Sequence, residues 1–255
     1  KINLSDIVHD LMITAKHDFS KDFNASLMVG NNIRQRTLTT LEAETNSAGL
    51  VIPGWYNLDN SNGSVVAENF YSQRRLVGLY AQLDLAYKNM LFIGATARND
   101  WSSTLPAANR SFFYPSVNGS FVFTELLKDS KISNFLSYGK IRASYASVGN
   151  DADPYQLRNY YVRTQILGGF ANTLFPFDGI PALTMSNTIG NPDLKPERTN
   201  AFEVGTELNM WENRLSVDFS YYQNRSKDQI LAAPIAPSTG FTNEILNTGE
   251  VENKG

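Results

Sequence analysis

Cysteine is absent from the 255 residues, which excludes a disulfide framework and any cysteine-based zinc or redox centre. Histidine occurs only at His9 and His17, and neither cysteine nor a carboxylate cluster completes a metal site around them. Long hydrophobic runs are also missing. The longest uncharged apolar stretch, near Met90 to Ala97, falls far short of the roughly 20 residues that a membrane-spanning helix requires. No excess of one charge exists either: 22 basic and 25 acidic residues give a net charge of -3, without a Lys/Arg block that would track phosphates. Nucleic acid is therefore not the expected partner.

The motifs of common chemistries are lacking as well. There is no G-x-S-x-G elbow, no G-x-G-x-x-G and no phosphate-binding G-x-x-x-x-G-K-[ST]. Asp59 to Gly63 starts like a calcium loop, yet Phe70 stands where the bidentate Glu should be, and Asp151-Ala152-Asp153 reads better as a polar turn. Glu203 and Glu207 alternate on one strand face, which contact with water explains without glycosidase chemistry. Neither an enzyme nor a resident cofactor is expected. The first residues carry no initiator Met, no apolar core of a signal peptide and no small-residue cleavage site, so the chain is expected to begin inside a longer protein or after processing.

What is present is alternation. Leu79, Ala81, Leu83, Leu85 and Tyr87 fall on one face of an extended segment, with Gln82 and Asp84 on the other. After a Lys-Asn turn, Leu91, Ile93, Ala95 and Ala97 resume the apolar face, opposite Thr96 and Arg98. A second hairpin sets Phe202, Val204, Thr206, Leu208 and Met210 beside Leu215, Val217, Phe219 and Tyr221, with Trp211-Glu212-Asn213 as the turn. A third runs from Asp6 to His17, turns at Ser20-Lys21-Asp22 and continues with Phe23, Ala25, Leu27 and Val29. Further strands are predicted over Tyr114 to Thr124 and Tyr138 to Val148, joined through a short helix or turn within Glu125 to Ser137.

Connection lengths give these strands an orientation. Short links follow Phe19, Lys88 and Trp211. Long links rich in Gly, Asn, Ser and Pro are predicted over Arg34 to Ser72, Asn99 to Phe113, Gly149 to Arg198 and Ser226 to Glu244. A compact soluble domain seldom holds several structureless loops above about 15 residues. Outer-membrane barrels do, with short periplasmic turns at one end and long extracellular loops at the other. The greasy faces then meet lipid. Aromatic rings are predicted near the short turns, from Phe19, Tyr87, Phe92 and Trp211, and near the far end, from Tyr71, Trp101, Phe112, Phe113 and Tyr114.

Several phrases then carry a family likeness: Val51-Ile52-Pro53-Gly54-Trp55-Tyr56-Asn57-Leu58, Arg75 through Tyr87, and Arg98-Asn99-Asp100-Trp101-Ser102-Ser103-Thr104-Leu105-Pro106. The series continues with Phe113-Tyr114-Pro115-Ser116-Val117, Lys140 through Tyr145, Gly149 through Tyr155 and Gly190 through Thr199. In this order the chain resembles the SusC/RagA family of TonB-linked outer-membrane transporters. The resemblance implies an all-β, antiparallel transmembrane barrel of about 22 strands around a plug, of which this chain would supply about nine, the last starting near Glu244. Residues 1–255 would be a partial barrel domain, with the plug and the TonB-interacting segment outside this chain.

It further implies a bacterial outer-membrane location and energy-coupled import of glycans or oligopeptides. The implied partners are a SusD-like surface lipoprotein lid, TonB, the rest of the barrel with its plug, outer-membrane lipid, and a dimer of the transporter and lipoprotein pair. Two other readings remain open at this point: a passive porin or structural barrel, and a soluble β-sandwich that binds glycans. For substrate contact the candidates are Trp55, Tyr56, Trp101, Tyr155, Tyr160 and Tyr161, because aromatic faces stack on sugars and peptide side chains. Loop packing or an interfacial ring is the competing account of the same residues.

Overall fold

In the computed structural model the chain is an all-β meander, and the structure describes residues 1–45, 49–128, 130, 132, 135–163, 165–167, 172–175 and 178–255. Nine strands form one antiparallel sheet in sequential order: β1 (Ile2–Asp18), β2 (Phe23–Glu44), β3 (Val66–Tyr87), β4 (Leu91–Ser102), β5 (Ser111–Val122), β6 (Leu136–Asn150), β7 (Glu197–Met210), β8 (Leu215–Lys227) and β9 (Glu250–Lys254). Each strand pairs with its neighbour in sequence, and β1 and β9 are the two edges. A β-sandwich needs a second sheet packed on the first. Here the wall is a single sheet, which removes the soluble sandwich reading.

The register sorts the side chains as the alternation predicts. Ala15, Leu27, Leu83, Ala95, Val117, Tyr145 and Phe202 lie opposite one another in a row across seven strands. One residue along, Thr14, Met28, Gln82, Thr96, Ser116, Ala146 and Ala201 make the corresponding row on the other face. The apolar face stays bare: Leu83, Ile93, Val117, Ile141, Val204 and Phe219 are all exposed. So wide an apolar band is unfavourable in water and favourable against lipid tails.

The other face is laced with polar contacts. The Arg142 guanidinium lies 2.8 Å from Asp218 and 3.7 Å from Glu203, and the Thr96 and Ser116 hydroxyls share a hydrogen bond of 2.5 Å. Glycines make room for its longer side chains. A Cβ on Gly30 would collide with the Tyr80 ring, and one on Gly205 would meet Arg142 Nε at 2.8 Å. On the polar face, side chains from one strand thus lie over the bare backbone of the next.

Short turns do gather at one end. Lys88 and Asn89 both have positive φ (52° each), the conformation that matches the right-handed twist of a tight hairpin, and Trp211, Glu212 and Asn213 follow suit at 51°, 54° and 66°. Backbone hydrogen bonds tie neighbouring turns together, from Lys88 N–H to the Asp22 carbonyl and from Trp211 N–H to the Phe135 carbonyl. The connection from β5 to β6 holds a short 3-10 helix, Phe123–Leu127, which starts two residues before the expected short helix or turn.

Four expectations are corrected. β2 and β3 are 22 residues each, so the link expected from Arg34 to Ser72 shrinks to 45–65. At roughly 3.3 Å per residue such strands reach about 70 Å, more than twice the hydrocarbon thickness, so their far halves stand outside the membrane. The link expected from Asn99 to Phe113 is only 103–110, because β4 and β5 run on to Ser102 and from Ser111. The last wall strand begins at Glu250; Asn243–Asn247 belongs instead to a three-stranded loop sheet with Ile230–Pro234 and Thr188–Ile189. Finally, Phe92, Phe112 and Tyr114 lie on the polar face with Thr96 and Arg98, so they drop out of the expected aromatic rings, which keep Phe19, Tyr87 and Trp211 at one end and Tyr71, Trp101 and Phe113 at the other.

Candidate functional site

The buried hydrophobic cluster is a collar at the long-loop end. Leu105, Phe112, Ala152, Leu194 and Ile245 form its core, and Leu76, Tyr114, Leu157 and Ile230 pack around them. Its polar centre is Asp151, which accepts hydrogen bonds from the Arg74 guanidinium and the Ser102 and Thr104 hydroxyls, the last at 3.1 Å. Beside it, buried Asp100 accepts from Arg98 Nε at 2.8 Å and from the Tyr114 hydroxyl. A carboxylate this deep is tolerable only when charged and neutral donors surround it, as they do here.

Side-chain amides lock the loops to this core. Asn109 donates to the Asp193 and Leu194 carbonyls at 3.2 and 3.0 Å, and Asn247 donates to the Lys195 and Asp228 carbonyls at 2.8 and 2.9 Å. In the loop 45–65, buried Asn60 accepts from Ile52 N–H and donates to the Ile52 and Trp55 carbonyls. The phrases around Asp100, Asp151 and Leu194 therefore meet in space, as parts of the collar. Among the described residues no group of three or more metal-ligating side chains occurs.

Against this collar, β3 leaves a notch in the wall. Its pairing with β4 stops at Leu76 and Ser102, with one further backbone bond from Ser103 N–H to the Arg75 carbonyl, so Val66 to Arg74 pairs with β2 on one side only. The loop after β6 leans over this gap. Two adjoining clefts open between them. One, of about 780 Å³, is lined by Phe70, Tyr71, Tyr155, Leu157, Arg158 and Tyr160 among others. The next, of about 770 Å³, is lined by Thr40, Glu42, Glu68, Phe70, Tyr160 and Tyr161 among others.

The structure thus brings Tyr155, Tyr160 and Tyr161 together. Tyr155 sits at a positive φ of 68°, an uncommon conformation for a residue with a Cβ, and its hydroxyl accepts the Gln73 N–H at 3.3 Å. Tyr160 and Tyr161 are more than half exposed. Trp55 and Tyr56 are elsewhere: they project from the loop 45–65 at 50% and 90% exposure and line neither cleft. Trp101 faces outward, opposite Val77 and Ser111, on the side that carries Leu79 and Ala97.

Sequence reasoning does not single out Phe70, Arg158, Glu42 and Glu68 as cleft residues, and it marks Tyr71 only as an interfacial aromatic. The available signal is the pair of aromatics Phe70-Tyr71 before the clear alternation of β3. Chemically the clefts offer aromatic faces for stacking, acidic groups at one end and a guanidinium at the other.

Residues 6–255 match the family model described as TonB dependent receptor-like, beta-barrel. Among relatives, a TonB-dependent receptor P26 of Formosa agariphila is 27% identical over 95% of this chain and 24% of its own length. The TonB-dependent receptor SusC of Bacteroides thetaiotaomicron is 25% identical over 79% of this chain and 20% of its own. In a structure of the RagAB peptide transporter, a chain superposes on all of this one with a TM-score of 0.79 at 21% identity, over 27% of that chain. The chain spans about a quarter of the length of these relatives. It belongs to the TonB-dependent receptor family of outer-membrane proteins, as a stretch of the β-barrel, with SusC among its relatives.

Proposed function

We propose that this chain supplies wall and external loops to a transporter that imports an oligopeptide or a glycan across the outer membrane, driven through TonB. The observation that carries the reading is the placement of aromatic clefts at the long-loop end of a wall whose outer face is apolar. In this reading the remaining strands pair with β1 and β9, since unpaired backbone groups in lipid cost several kcal/mol each. A plug and a TonB-interacting segment belong to the same full-length protein. A SusD-like lipoprotein covers the mouth, and the pair forms a dimer.

Tyr155, Tyr160 and Tyr161, with Phe70 and Tyr71, are the residues we place against substrate. Trp55 and Tyr56, at the tip of their loop, suit first contact with cargo or lid, and Trp101 suits the lipid interface. The structural neighbour RagAB is a peptide transporter, which favours an oligopeptide, and the resemblance of the sequence phrases keeps a glycan as the second candidate.

Uptake by cells carrying the full-length protein tests the reading. Cells are given a radiolabelled octapeptide mixture or malto-oligosaccharides, with TonB present and with TonB deleted. Import of one of the two should fall at least about tenfold without TonB. A passive porin would let both through equally in the two strains, and that result would overturn the proposal.

A further inference from the structure

The notch in the wall exposes main-chain groups whose direction the surrounding hydrogen bonds fix. Arg75 N–H donates to Ser103 Oγ at 2.9 Å, the Arg75 carbonyl accepts from Ser103 N–H at 2.9 Å, and Gln73 N–H reaches the Tyr155 hydroxyl. Residues 73 and 75 therefore point their amides away from β2, towards the side that β4 has vacated. In an antiparallel strand every second residue does the same. Ala67, Asn69 and Tyr71 then aim N–H and C=O into the gap, and among the described residues nothing bonds to them there.

An unprotected strand edge of this kind recruits another strand unless it is blunted. Here it is neither short nor bulged, and no proline interrupts Val66 to Arg75. The two clefts run alongside it, sharing Asn69, Phe70, Tyr160 and Val162. Charge is distributed along the slot. Glu42 and Glu68 face each other across β2 and β3 at the Ala67 end, a like-charged cross-strand pair that a cation would relieve, and Arg158 lines the cleft at the Tyr71 end. No salt bridge within 4.0 Å involves these three side chains among the described residues.

We infer that the Val66 to Gln73 edge of β3 is a peptide-reading site, at which an extended oligopeptide adds as a strand through its main chain. This rests on the import reading and names its cargo class. The spacing of donors and acceptors, two residues or about 7 Å apart, suits a polypeptide in β conformation; a glycan has no such repeat of amides. Alternate peptide side chains enter the aromatic clefts, where Phe70 and Tyr160 accept many shapes. The acidic pair receives the peptide ammonium and Arg158 the terminal carboxylate, so the peptide runs parallel to β3.

The test uses the full-length transporter with its own lid, and an octapeptide of Ala, Ser and Tyr with free termini, measured by calorimetry. Asn69→Pro removes an amide that faces the slot and spares the bonds to β2, as proline does on edge strands. It should weaken binding about tenfold, whereas Asn69→Ala, which keeps the amide and trims only the side chain in the clefts, should weaken it clearly less. The ligand-side arm needs no variant: N-methylation of every second amide in one frame should weaken binding about tenfold or more, and in the other frame far less. Equal binding of both methylated frames and of the parent peptide would overturn the inference, as would full competition by maltohexaose. Failure of the inference is distinct from failure of the import reading. The former leaves TonB-dependent uptake intact and only removes sensitivity to main-chain methylation.

Discussion

Asp151 shows how much of the collar hangs on single side chains. Its carboxylate is 2% exposed and gathers Arg74, Ser102 and Thr104, three partners from two wall segments. Asp151→Ala leaves a partly buried guanidinium and two hydroxyls without their acceptor, a loss of about 3 kcal/mol once the one-third exposure of Arg74 is allowed for. The loops after β4 and β6 should then open to protease at concentrations that spare the parent protein. Limited proteolysis of intact outer membranes reads this directly. Asp151→Ala digesting like the parent would mean that the collar is held by its apolar core alone. Such residues are visible in the sequence as parts of phrases, yet their role is not, because Asp151 is separated by 77 residues from Arg74.

At the scale of the strand, the sequence displays whatever the membrane sorts and hides the rest. From Val77 to Tyr87, and between Phe23 and Ile33 apart from Met28 and Asn31, one face is apolar and meets lipid, so the alternation is plain to read. Beyond Arg34, through Arg36-Thr37-Leu38-Thr39-Thr40, water reaches both faces, nothing selects apolar residues on either, and the extended ladder reads as a loop. The converse error arises at Glu244 and Ile245: Ile245 is buried because it packs in the collar, so its pattern suggests a wall strand that starts only at Glu250. The cleft is legible as scattered aromatics only, since the long link between β6 and β7 decides which of them meet. The strand faces carry their own prediction. Val204→Arg puts a charge on the lipid face at a cost of about 2–4 kcal/mol near the midplane, whereas Gln82→Arg adds one to the polar face. Folded protein in the outer membrane, followed by heat-modifiable migration, should fall for Val204→Arg and hold for Gln82→Arg. A reversal of that order would mean that the faces have been exchanged.

For the molecule as a whole, the strands, turns and loops divide the labour. Tight turns with left-handed residues close one end, an exposed apolar band lies along the middle, and the collar with its clefts occupies the other end. Everything proposed about cargo depends on the middle layer being a barrel wall with lipid outside. The direct measurement is cysteine accessibility in the full-length protein, a background in which this segment contributes no cysteine of its own. Single cysteines at Leu83, Ala95, Val204 and Val217 should react with a maleimide confined to the lipid, and those at Gln82, Asp84 and Glu203 only with a water-soluble one. Equal reaction of both sets with the lipid-confined reagent would contradict the account.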